Sequence, residues 1–116
     1  MEEGAESMTQ YKLSGSYREY LVGELRADPE FAVNYLREAF NSLGNPEERA
    51  VSMLAIRDVA QAYGGLAKIA EEAGISRESL YRALSPKGNP TLNTLLAVLA
   101  SVGMRLSVEP VQPLEA

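Results

Sequence analysis

The sequence has no cysteine and no histidine among its 116 residues. The first absence excludes disulfides and thiolate metal sites. The second removes the commonest general base and the commonest metal ligand. Catalysis would have to rest on carboxylates, Lys, Tyr or Ser, and no cluster of these stands out. A phosphate-cradling glycine motif is also missing. No apolar run reaches the roughly 18 residues of a membrane span. The N-terminus is acidic and polar, unlike a secretory signal. There is no internal repeat and no low-complexity tract. These absences lead us to expect a cytoplasmic, non-enzymatic protein with no cofactor, no metal and no membrane association.

What is present suits a folded domain. Hydrophobic residues make up 46% of the chain, enough for one core at this length. The net charge of −5 is unevenly spread. Residues 1–60 hold eleven acids and six bases, whereas residues 61–90 hold Glu71, Glu72 and Glu78 against Lys68, Arg77, Arg82 and Lys87. An acidic N-terminal half suits a basic protein partner. A locally basic segment further on can still meet phosphate, although the overall field keeps non-specific nucleic-acid binding weak.

Start and stop signals divide the chain into five or six helices. Residues 1–10 read as a disordered extension, and Tyr11 to Leu13 as an extended segment. Ser16 reads as the cap of a first helix reaching Arg26, with Tyr17, Tyr20, Leu21 and Leu25 as an amphipathic stripe that reads either as core packing or as a docking surface for a protein partner. Asp28-Pro29-Glu30 is a helix start: a capping acid, proline at the first helical position and an acid in the first turn. That helix runs to about Ser42, with Phe31, Tyr35, Leu36, Ala39 and Phe40 apolar. Asn45-Pro46-Glu47-Glu48 repeats the signal and opens a helix to about Tyr63, expected to bury Ala50, Met53, Leu54, Ile56 or Val59, and Ala60. Asp58, beside Arg57, reads as a structural ion pair or an exposed face rather than a catalytic acid. Gly64-Gly65 ends this helix. After the loop Ser85–Pro90, Thr91 caps a last helix from Leu92 to Val102, with Gly103 as its stop. Met104 to Glu109 alternates apolar and polar residues, a strand pattern that needs a partner strand. We expect one domain over residues 11–110, with a flexible 111–116.

Residues 66–84 carry the most information. Leu66, Ile69, Ala70 and Ala73 have the spacing of one helix face, and Ala70 is small where two helices must approach. Gly74 suits a left-handed turn. Ser76 is placed to cap a second short helix. With Leu80, Ala83 and Leu84 turned inward, Arg77, Glu78, Tyr81 and Arg82 lie on the open face. The pattern reads as a helix-turn-helix, which sets a short helix into the major groove of double-stranded DNA. Arg77 and Arg82 are candidates for a guanine edge or a phosphate, Glu78 for cytosine, and Tyr81 for a thymine methyl or a phosphate. The bland readings are a solvated Arg77, an intrahelical Glu78–Arg82 pair and a Tyr81 at the core edge. Ser76 and Ser79 can donate to phosphates, and Gly65 stands where a helix N-terminus presents amides to one. The alternative for Gly65 is a C-cap turn that Gly64 alone could supply. Lys87 and Asn89 follow the second helix, where loops commonly clamp the sugar-phosphate strand, or else form a plain surface turn.

The runs Asp28-Pro29-Glu30-Phe31, Tyr35-Leu36, Ile56-Arg57-Asp58-Val59-Ala60 and Tyr63-Gly64-Gly65-Leu66 resemble the addiction-module antidote family. So do Ser76-Arg77-Glu78-Ser79-Leu80-Tyr81-Arg82-Ala83-Leu84-Ser85 and Gly88-Asn89-Pro90-Thr91. These are HigA-like antitoxins of bacterial type II toxin–antitoxin modules. The resemblance covers roughly residues 11 to 109. It implies an all-α, lambda-repressor-like helix-turn-helix bundle, with the short C-terminal β-strand expected above. It implies a homodimer on a palindromic operator, repression of the module's own promoter, and a cognate RelE/ParE-like toxin as protein partner. The alternative is a stand-alone helix-turn-helix transcriptional regulator without a toxin.

Overall fold

The computed structural model describes residues 15–112, and within them the fold is all-helical, with six helices. They are α1 (Gly15–Ala27), α2 (Pro29–Ser42), α3 (Arg49–Ala62), α4 (Gly65–Ala73), α5 (Arg77–Ala83) and α6 (Leu92–Ser101). The expected extension 1–10, the extended Tyr11–Leu13 segment and residues 113–116 lie outside the described residues. No described helix is long and apolar enough to cross a membrane.

Helix α3 organises the molecule. It packs against α1, α2, α4 and α6. Its sequence is accordingly apolar on more than one face: Met53, Leu54, Ala55, Ile56, Val59, Ala60 and Ala62 are all buried. Leu21 and Leu25 of α1, Leu36 and Ala39 of α2, Leu66 and Ile69 of α4, Leu80 of α5 and Val98 of α6 complete one continuous core. Two polar ties close the seam between α1 and α3. The Tyr63 hydroxyl donates to the Leu25 carbonyl at 2.6 Å, and Arg26 Nε donates to the Ala62 carbonyl at 3.4 Å.

Local chemistry explains most boundaries. Asp28 caps α2 by accepting from the Phe31 amide at 3.1 Å, with Pro29 at the first position, as read. Thr91 caps α6 through the Thr94 amide at 3.1 Å. Other boundaries differ from the reading. Ser16 lies inside α1, so it is not its cap. Asn45 does not cap α3: its Oδ1 accepts from the Glu47 amide at 3.0 Å, which makes a turn through Pro46–Glu48 and delays the helix to Arg49. Ala50 then falls on the exposed side of α3. Tyr20 is also no core residue; it is 61% exposed, and the buried stripe of α1 is Leu21 and Leu25 with Tyr17 and Val22 at its margin.

The expected strand over Met104–Glu109 is absent from the described residues. The reason is local. The Gly103 amide donates to the Ala100 carbonyl at 3.1 Å and the Met104 amide to the Leu99 carbonyl at 2.8 Å. This paired closure ends α6 and commits the backbone where the strand would begin. Beyond it, Leu106 to Pro110 run exposed with no described neighbour to pair with.

Candidate nucleic-acid interface

The apolar positions of α4 and α5 are buried as their spacing predicts, except Ala83, which is half-buried. Leu66, Ile69, Ala70 and Ala73 are buried, as are Leu80 and Leu84. Gly74 has φ +73°, and it closes α4 through two bonds, its own amide to Glu71 (3.2 Å) and the Ile75 amide to Ala70 (3.0 Å). A side chain at that φ would strain the turn. Ser76 caps α5: its Oγ accepts from the Ser79 amide at 3.0 Å, and its hydroxyl donates to Ser79 Oγ at 2.9 Å.

The opposite side of α5 is open. Arg77, Glu78, Tyr81 and Arg82 are all exposed, and Ser79 is half-buried beside the cap. The Glu78–Arg82 pair does not form; Arg18–Asp58 is the one ion pair among the described residues. Both arginines of α5 therefore have their guanidinium donors available. Tyr81 is 38% exposed and lies under the Arg57 guanidinium, 5.7 Å from the ring centroid. The core-edge reading of Tyr81 thus holds together with a solvent-facing ring, and the ring carries a cation from α3 to the rim of α5.

Two glycine features frame this surface. Gly64 and Gly65 both have positive φ, +81° and +80°, so Gly64 alone does not make the turn. Gly65 is the first residue of α4. Gly88 serves a steric purpose instead. A Cβ there would collide with the Ala83 and Arg82 carbonyls at the end of α5. The Gly88 carbonyl in turn accepts from Arg49 Nη2 at 3.2 Å. The loop is so held between α3 and α5, with Lys87 and Asn89 exposed on either side of the fixed point.

Sequence reasoning missed the contribution of α1 and α3. Arg18, Arg26, Arg57, Gln61 and Tyr81 line a cleft of about 400 Å³ that opens beside α5, with Glu19 and Asp58 in its wall. Arg57 and Tyr81 stand 24 positions apart, so only tertiary structure joins them. Asp58 is 5% exposed and pairs with Arg18 at 2.7 Å, not with its neighbour Arg57. Burial still pushes its carboxyl up to about 6, because desolvation outweighs the attraction of Arg18 and Arg57. Tyr35 is likewise raised, by burial first and by the Asp58 charge second. No group of three or more acids among the described residues is arranged to hold a metal ion.

The described residues thus form an all-helical bundle with a capped, two-sided short helix and a surrounding set of arginines. Over residues 17–110 the chain matches a family described as "probable addiction module antidote protein". The chain belongs to that family. A curated relative from Haemophilus influenzae, carried as "Uncharacterized protein", is 44% identical over 55 residues, which are 47% of this chain and 56% of the relative. The match thus spans little more than half of that relative. No solved structure matches the chain.

Proposed function

We propose that the chain is a DNA-binding, HigA-like antitoxin of a type II toxin–antitoxin module. In this reading it neutralises a RelE/ParE-like toxin in the cytoplasm and represses its own promoter. Its mechanism is binding, not turnover. Family membership supports a cognate toxin. The observation that carries the DNA half is the two-sidedness of α5, with Leu80 fully buried while Arg77, Glu78, Tyr81 and Arg82 are exposed.

The α4–α5 pair is read as a helix-turn-helix whose second helix enters the major groove. Arg77, in the first turn, addresses a guanine edge, and Arg82 addresses a base or phosphate one turn on. Glu78 and Tyr81 contribute base contacts. Ser76, Ser79, the Gly65 amide, Lys87 and Asn89 position the backbone strand. Arg57, held on Tyr81, adds a phosphate contact from outside the motif. A homodimer would present two such helices to a palindromic operator; the exposed Leu92 and Leu96, one turn apart on α6, are compatible with a second copy packing there.

The test is an anisotropy titration against the DNA upstream of the chain's own gene, beside a scrambled duplex, at two salt concentrations. Tight binding to the upstream DNA alone, lost in Arg77→Ala, is the expected result. Equal weak binding to both duplexes would overturn the repressor reading. A toxin-like reading frame beside the gene separates the antitoxin from a stand-alone regulator.

A further inference from the structure

A second cleft, also of about 400 Å³, lies between α1, α2 and α3. It is separate from the arginine-lined cleft and differs in chemistry. Its rim carries Glu38, Glu47 and Glu48. Its single basic lining residue, Arg18, is already neutralised by Asp58 at 2.7 Å. Val51, 48% exposed, gives it an apolar wall. Ser52 lines the cleft at 4% exposure, and its hydroxyl makes no hydrogen bond among the described residues. The Ser52 hydroxyl is not sealed in the core, since no buried side-chain polar atom of the described residues lacks a partner; it opens to the cleft, where it can accept a hydrogen bond from an occupant.

We propose that this cleft docks an arginine- or lysine-bearing segment of the cognate toxin. The proposal rests on the antitoxin reading and locates its protein contact. Charge complementarity selects the occupant. Residues 15–62 hold eight acids and five bases. Three glutamates line one opening; Glu48 accepts from Asn45 Nδ2 at 2.7 Å, and among the described residues the one cation of the lining, Arg18, is paired with Asp58. A guanidinium fits such an opening in each respect. Its head pairs with the Glu38 and Glu47 carboxylates, its N–H groups reach the Ser52 hydroxyl, and its apolar stem lies along Val51. DNA is repelled from the same surface, so the two ligands of the chain would occupy different faces.

The experiment uses the full chain and the purified product of the reading frame beside its gene. Glu38→Lys with Glu47→Lys reverses two exposed rim charges, and Glu71→Lys with Glu72→Lys reverses two exposed charges on α4 as control. Affinity for the toxin is expected to fall at least about 30-fold in the cleft variant and by less than about threefold in the control. Ser52→Ala is expected to weaken binding severalfold at unchanged charge. Binding to the upstream DNA stays intact in the cleft variant, which also verifies its fold. Equal losses in both charge variants, or none in the cleft variant, would overturn the site while leaving the antitoxin reading standing. A wild-type chain that does not bind the toxin would sink that reading and the site with it. A dimer of this chain that the cleft variant abolishes would assign the cleft to self-association and overturn the proposal.

Discussion

Two clefts of similar volume flank Arg18, and their linings have opposite character. One opens toward α5 and gathers Arg18, Arg26 and Arg57; the other opens between α1, α2 and α3 and gathers Glu38, Glu47 and Glu48. Volume does not distinguish them, so charge must. The difference teaches that the net charge of −5 describes neither face. A chain this acidic can still offer a locally basic surface to phosphate, provided the bases there outnumber the acids, as Arg18, Arg26 and Arg57 outnumber Glu19 and Asp58 in the cleft beside α5. Helix α3 makes the separation possible, because it contributes Arg57 to one cleft and Val51 and Ser52 to the other.

The Arg18–Asp58 pair joins the two faces, and breaking it should give the largest effect. Arg18→Met leaves a buried carboxylate without its partner. We expect a loss of about 3 kcal/mol in urea unfolding at pH 7.5. The loss should shrink below pH 6, where Asp58 takes up a proton. The sign follows from the raised pKa. The folded state binds the Asp58 proton more tightly than the unfolded chain, so this stability is complete below the ordinary carboxylate range near 4. It is lost as pH rises through about 6. A destabilisation that is equal at pH 5 and 7.5 would show that Asp58 is not the group left exposed to the change.

On the basic face, Arg77→Ala should weaken binding to the upstream duplex by roughly 10- to 100-fold, the range of a lost bidentate base contact. Arg57→Ala should act differently: a loss of a few-fold, the same for upstream and scrambled DNA, with the salt slope reduced by about 1. If Arg57→Ala instead changed the sequence preference, the arginine cleft would be part of base readout. The smallest effect sharpens the fold. Tyr20→Ser, at a 61% exposed position, should shift stability by less than about 0.5 kcal/mol. A large loss there would restore Tyr20 to the core that its spacing suggested.

What could be read from the sequence was what local chemistry decides. Asp28, Ser76 and Thr91 cap their helices because a cap bond closes over three residues, and Gly74 ends α4 by its own conformation. The open face of α5 was legible for the same reason, since seven residues of strict two-sidedness suffice. What failed depended on distant partners. The strand pattern of Met104–Glu109 could not reveal that the described residues offer it no neighbour. Arg18 reaches Asp58 across 40 positions, and the adjacent Arg57 looked the better mate. Asn45 failed at short range, because an asparagine before a proline can make a turn as readily as a helix cap, and here the turn won.

The most direct test of two separate faces is a backbone amide chemical-shift map of the chain on adding the upstream duplex. Perturbed amides are expected at Gly65, Ser76 to Arg82, Lys87 to Asn89 and Arg57, with Glu38, Glu47 and Val51 unmoved. Shifts centred on the acidic cleft, or none on α5, would contradict the division between the two faces.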